Sequence, residues 1–175
     1  DFQYDDRLFF RFGKSFVKWG VGYFFSPADV INLESIDAED PTAERQGPLN
    51  FRLHYPDGAD NIYLYLLTDQ VNSLDDIALA LKTETVVGNS ELGFGGYISG
   101  GKAPRVVSTL STSVRDVRIF GEGVVSFGSD RIFVAESKNQ PELGEDDDQY
   151  TALDTFTIDR QPFFSGTIGF NYSKT

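Results

Sequence analysis

The tightest constraint on this chain lies near its end, where Phe164, Gly166, Ile168, Phe170 and Tyr172 alternate without a break with Ser165, Thr167, Gly169, Asn171 and Ser173. Successive side chains of a β-strand point to opposite faces, so this run has one apolar face and one small, polar face. The same rule recurs upstream. Val117, Ile119, Val125 and Phe127 stand against Arg118, Glu122 and Ser126, with Phe120 and Val124 interrupting the polar side. Val106, Leu110 and Val114 oppose Arg105, Thr109, Ser111, Ser113 and Arg115, and Leu92, Phe94 and Ile98 oppose Glu91, Gly93, Gly95 and Ser99. Ile77, Leu79 and Leu81 oppose Ala78, Ala80, Lys82 and Glu84, and Phe51, Leu53 and Tyr55 oppose Asn50, Arg52 and His54. Residues 7 to 25 and Ile62 to Leu67 read as two further strands, too apolar on both faces to be phased. Eight strands are expected, and no uninterrupted apolar run approaches the roughly 18 to 20 residues of a membrane-crossing helix.

The connections alternate in length. Short turns are expected at 57 to 60, 88 to 90 and 115 to 116, and in the first two Asp57-Gly58 and Gly88-Asn89 supply the positive φ that tight hairpins need. Longer links are expected at 26 to 49, 68 to 75, 100 to 104 and 136 to 160. Charge is sorted the same way. The stretches 26 to 49 and 136 to 160 carry −5 and −6 of the chain's net −12, which leaves the intervening strands almost neutral. Alternating strands, alternating link lengths and two acidic loops lead to one expectation, an all-β, antiparallel up-and-down transmembrane β-barrel. On it, residues 1 to 175 form a single barrel domain or a portion of a larger barrel, and the short turns face the periplasm. The acidic stretches are then extracellular loops. A soluble all-β sandwich that binds ligands is the alternative.

Composition narrows the function. Sixteen Phe, eight Tyr and 17 Gly suit a barrel wall better than a soluble sheet, which interior glycines weaken. With no Cys, disulfides, thiolate metal sites and Cys nucleophiles are excluded. An acidic chain without a basic stripe does not fit nucleic acid. The start, Asp1-Phe2-Gln3-Tyr4, reads as that of a processed chain or a fragment.

The block from Phe12 to Asn32, with Gly13-Lys14-Ser15, Trp19-Gly20 and Pro27-Ala28-Asp29, resembles a pattern in porin-like outer-membrane barrel proteins of two-membrane bacteria. There a strand ending in Trp-Gly runs into an extracellular Pro-x-Asp loop. Ala103-Pro104-Arg105 and the stretch Val117 to Glu122 resemble later strands of such proteins. The resemblance implies a bacterial outer-membrane location and a lipid surround. It implies passive passage of small polar solutes or ions, and longer chains whose extra barrel strands, or further copies in a homo-oligomer, complete the wall.

In a barrel the polar faces look into the lumen, which makes Arg52, His54, Lys82, Glu84, Glu91, Arg105, Arg115, Arg118 and Glu122 candidate lumen-lining residues that bias what passes. The bland reading is that they pair across strands and fill the lumen as a scaffold, while the acidic loops bind a partner or surface polysaccharide. Trp19, Tyr23, Phe24, Tyr55, Phe163 and Tyr172 are candidate membrane-interface aromatics. His54 is the only histidine, and no nucleophile motif surrounds it, so no catalytic role is assigned. Gly13-Lys14-Ser15 lacks the earlier glycine of a phosphate loop, Leu8 standing in its place, and no cofactor is expected. Glu142, Glu145, Asp146, Asp147 and Asp148 are weak candidates for Ca²⁺, since the run lacks the alternating spacing of a calcium loop. A solvated acidic surface is the default.

Overall fold

A computed structural model describes residues 1–23, 25–31, 47–68, 77–100, 102–136 and 153–173. Eleven strands are found in them: β1 (Phe2–Tyr4), β2 (Leu8–Lys14), β3 (Leu49–Asp57), β4 (Asp60–Leu67), β5 (Ala78–Val87), β6 (Ser90–Ser99), β7 (Lys102–Val114), β8 (Val117–Gly128), β9 (Phe133–Glu136), β10 (Leu153–Phe156) and β11 (Asp159–Tyr172). No helix is present among the described residues. Nine strands form one antiparallel sheet in the order β1-β2-β3-β4-β5-β6-β7-β8-β11, and β9 with β10 forms a separate two-stranded ribbon. The expected all-β, up-and-down order is therefore present. The sheet is open, with β1 and β11 as its two edges, so the strands do not close on one another as a barrel.

Register places apolar residues in rows on one face. One row runs across all nine strands: Phe2, Phe10, Leu53, Leu64, Leu81, Gly96, Val106, Val125 and Phe164. The strand at Ile62 to Leu67, left unphased by its sequence, puts Ile62, Leu64 and Leu66 on this face and Tyr63, Tyr65 and Leu67 on the other. The apolar face is the uncovered one. On β11, Phe164, Ile168 and Phe170 are 79%, 83% and 76% exposed, and Phe12, Leu81, Phe94 and Val106 are also exposed. The core lies on the opposite, polar face, where Val17, Trp19, Ala28, Val30 and Ile31 pack against Tyr65, Ala80, Tyr97, Val107 and Val124.

The strand expected over 7 to 25 is therefore corrected. Only Leu8–Lys14 stays in the sheet, and a short β1 precedes it. Backbone pairing with β3 ends at Lys14, and residues 15 to 31 turn onto the polar face. Asn50, fully buried, holds the exit: its Nδ2 donates to the Ser15 carbonyl at 3.1 Å and to the Pro48 carbonyl at 2.8 Å. The residues appeared apolar on both sides because a covering segment buries its own side chains.

All three expected short turns are present, with Gly58 at φ 62°, Gly88 at φ 63° and Arg115 at φ 55°. A fourth was missed: Asp5 and Asp6, at φ 53° and 49°, join β1 to β2 at the same end. The link expected over 100 to 104 shrinks to two residues, because β7 begins at Lys102 and absorbs Pro104 where the pairing with β6 shifts register. A proline lacks the N–H of a regular ladder, and a bulge accommodates it. Pro162 enters β11 at a similar register shift. The second acidic stretch is shorter than expected, since β10 and the start of β11 occupy its end. Glu142, Glu145, Asp146, Asp147, Asp148 and Phe24 lie outside the described residues, as do most acids of the first stretch.

Candidate functional site

Eight of the nine candidate lumen residues share the polar face: Arg52 and His54 on β3, Lys82 and Glu84 on β5, Glu91 on β6, Arg105 on β7, Arg118 and Glu122 on β8. Arg115 sits in the β7–β8 turn at the sheet's rim. What sequence reasoning missed is their partner, the segment 15 to 31. A charged face without a cover would be solvated. Here two of its charges are buried under main chain.

Glu122 is one anchor. Its buried carboxylate accepts the Gly22 N–H, the Ser26 hydroxyl at 3.0 and 3.1 Å, and the Ala28 N–H at 3.0 Å. Hydrogen bonds to an ionised carboxylate are about twice as strong as neutral ones, so this set fixes the turn at Ser26-Pro27-Ala28 against β8. Lys82 is the second. Its ammonium donates to the Trp19 carbonyl at 3.2 Å and pairs with Glu84 at 2.6 Å. The indole of Trp19 is 1% exposed and meets Tyr65 edge-on with ring centroids 6.1 Å apart. Gly95 makes room for it: a Cβ there would lie 2.8 Å from the ring.

Around this contact the other polar groups pair locally. Arg105 bridges to Asp130 and lies 6.0 Å from the centre of the Tyr97 ring. Arg118 donates to the Ser111 hydroxyl at 3.0 Å. The His54 ring stacks on Tyr63 at 4.4 Å and faces the Asn61 side-chain oxygen at 2.8 Å through Nε2. Between the segment and β3, β4 and β5 a hollow of about 180 Å³ persists, lined by Trp19, Arg52, Tyr63, Tyr65, Lys82 and Glu84 among others. Among the described residues no group of three or more His, Asp and Glu is placed to hold a metal ion.

The candidate interface aromatics divide. Tyr55 and Tyr172 lie on the apolar face at the short-turn end, and Tyr4, not singled out by its sequence, joins them there beside the Asp5 turn. Trp19 belongs to the core and not to a surface belt. Phe163 pairs with Ser126 and so falls on the polar face, while Tyr23 is exposed above it, edge-on to Phe120 with centroids 5.4 Å apart. Only the side of Phe163 distinguishes it from Phe164, and a register shift between Asp159 and Pro162 sets that side.

Comparison with family models, curated proteins and solved structures finds no match for this chain.

Proposed function

We propose that the sheet is the wall of a bacterial outer-membrane, porin-like β-barrel through which small polar solutes pass passively, with no covalent step. One observation carries this reading: an apolar face exposed across nine strands is backed by a polar face that holds the core. In water that arrangement is inverted, because contiguous exposed apolar surface of this extent is unfavourable. Against lipid it is the favourable one, and strands of 10 to 14 residues in β5 to β8 and β11 suit a bilayer. Tyr4, Tyr55 and Tyr172 at one end suit its interface.

The test is conductance in planar bilayers together with single-cysteine labelling, which the cysteine-free chain allows. Along β11, Thr167→Cys and Asn171→Cys are expected to react with a water-soluble maleimide, and Ile168→Cys and Phe170→Cys only after detergent extraction. Replacing Arg118 and Glu122 together with Ala should change conductance or ion preference. Labelling of both faces alike would overturn the membrane reading. Inserted protein without conductance would favour the second reading, a non-conducting scaffold, which the segment buried on the polar face supports.

A further inference from the structure

We infer that the hollow under the 15 to 31 segment is a binding site for a small, non-aromatic organic carboxylate, an inference that rests on reading the polar face as a solute path and names what that path selects. The chain is acidic, at net −12, yet the charged groups around this hollow are Lys18, Arg52 and Lys82 against Glu84 alone. Glu84 is already taken by Lys82, at 2.6 Å. Arg52 has no such partner among the described residues, and its Nε is buried without an acceptor. The Arg52 guanidinium is a planar fork that matches a carboxylate in two parallel hydrogen bonds. The register fixes Arg52 beside Tyr65, with Tyr63 one row along and Lys82 across from Tyr63, so a guanidinium without a carboxylate partner among the described residues and a second cation border one small space.

Size and shape set the rest of the ligand. About 180 Å³ admits a few heavy atoms beyond the carboxylate. Tyr63 stacks on His54 at 4.4 Å and lies 6.2 Å from Tyr65, so its ring faces are occupied and no platform is left for an aromatic body. Trp19, the only tryptophan, forms part of the opposite wall and reports occupancy by its emission.

The test titrates the full chain in detergent micelles with sodium acetate and sodium lactate, following Trp19 fluorescence. Acetamide and sodium sulfate at matched ionic strength are the controls. A saturable response to acetate or lactate is expected, with none to acetamide and a weaker one to sulfate. Arg52→Gln should weaken carboxylate affinity at least about tenfold, because it removes a charge-assisted pair. Arg52→Lys keeps the charge without the fork and should lose several-fold, and Arg131→Gln, at an exposed arginine beyond the end of β8, should lose nothing. No saturable response, an equal response to acetamide or sulfate, or unchanged affinity in either Arg52 variant would overturn the site. Conductance without such binding would sink this inference and spare the pore. Binding without conductance would do the reverse.

Discussion

At the scale of single residues, one glycine and one carboxylate decide where the chain goes after β2. Gly95 leaves the polar face low beneath Trp19, and Glu122 gathers two main-chain N–H groups and a hydroxyl. Gly95→Val would drive a side chain into the indole, with the Leu81 carbonyl 3.1 Å away on the other side. The expected cost is about 1–3 kcal/mol, the usual penalty for overpacking, read as a lower urea midpoint with a red-shifted Trp19 emission. An unchanged emission would mean that Trp19 does not rest on Gly95. At Ile168, 83% exposed, the environment can be read from one substitution. Ile168→Arg is expected to cost roughly 2–4 kcal/mol against lipid at mid-depth. Facing water, the same change falls within about half a kcal/mol, so unfolding from vesicles separates the two.

At the scale of elements, the 15 to 31 segment behaves as a strap tied at Asn50, Lys82 and Glu122. Glu122→Ala orphans the donors of Gly22, Ser26 and Ala28 at a cost on the order of 3 kcal/mol, and the strap should loosen before the sheet does. Limited proteolysis is expected to cut between residues 18 and 28 in this variant and not in the parent, with β-sheet circular dichroism retained. Loss of the sheet signal at the same step would show that strap and sheet fold as one unit. The sheet itself was legible because alternation and turn chemistry agree: Leu92, Phe94 and Ile98 opposite Glu91 and Gly93 leave one phase for β6, and Gly58 and Gly88 fix their turns. The strap was not. Its apolar residues, Val17, Trp19, Val30 and Ile31, have no period to reveal that they cover a face, and the sign that Glu122 binds main chain lies about a hundred residues away. Likewise the polar residues of the site were legible as one face, whereas the pairing of Lys82 with Glu84, and not with another acid, was not.

At the scale of the whole molecule, polarity is turned inside out: the sheet's core sits under its charged side, and its aromatic side is bare. The tight hairpins at Asp5, Gly58, Gly88 and Arg115 lie at one end, and the two-residue link between β6 and β7 lies at the other, with the links that carry the acidic stretches. The order of the strands also carries an arithmetic. Nine strands in strict up-and-down succession leave the first and the last running the same way. A copy turned about an axis along the strands keeps that direction, so β11 of one copy beside β1 of the next would be a parallel pair, and so would β11 folded round to its own β1. An antiparallel ring needs an even total. If the sheet is part of such a ring, what completes it brings an odd number of strands.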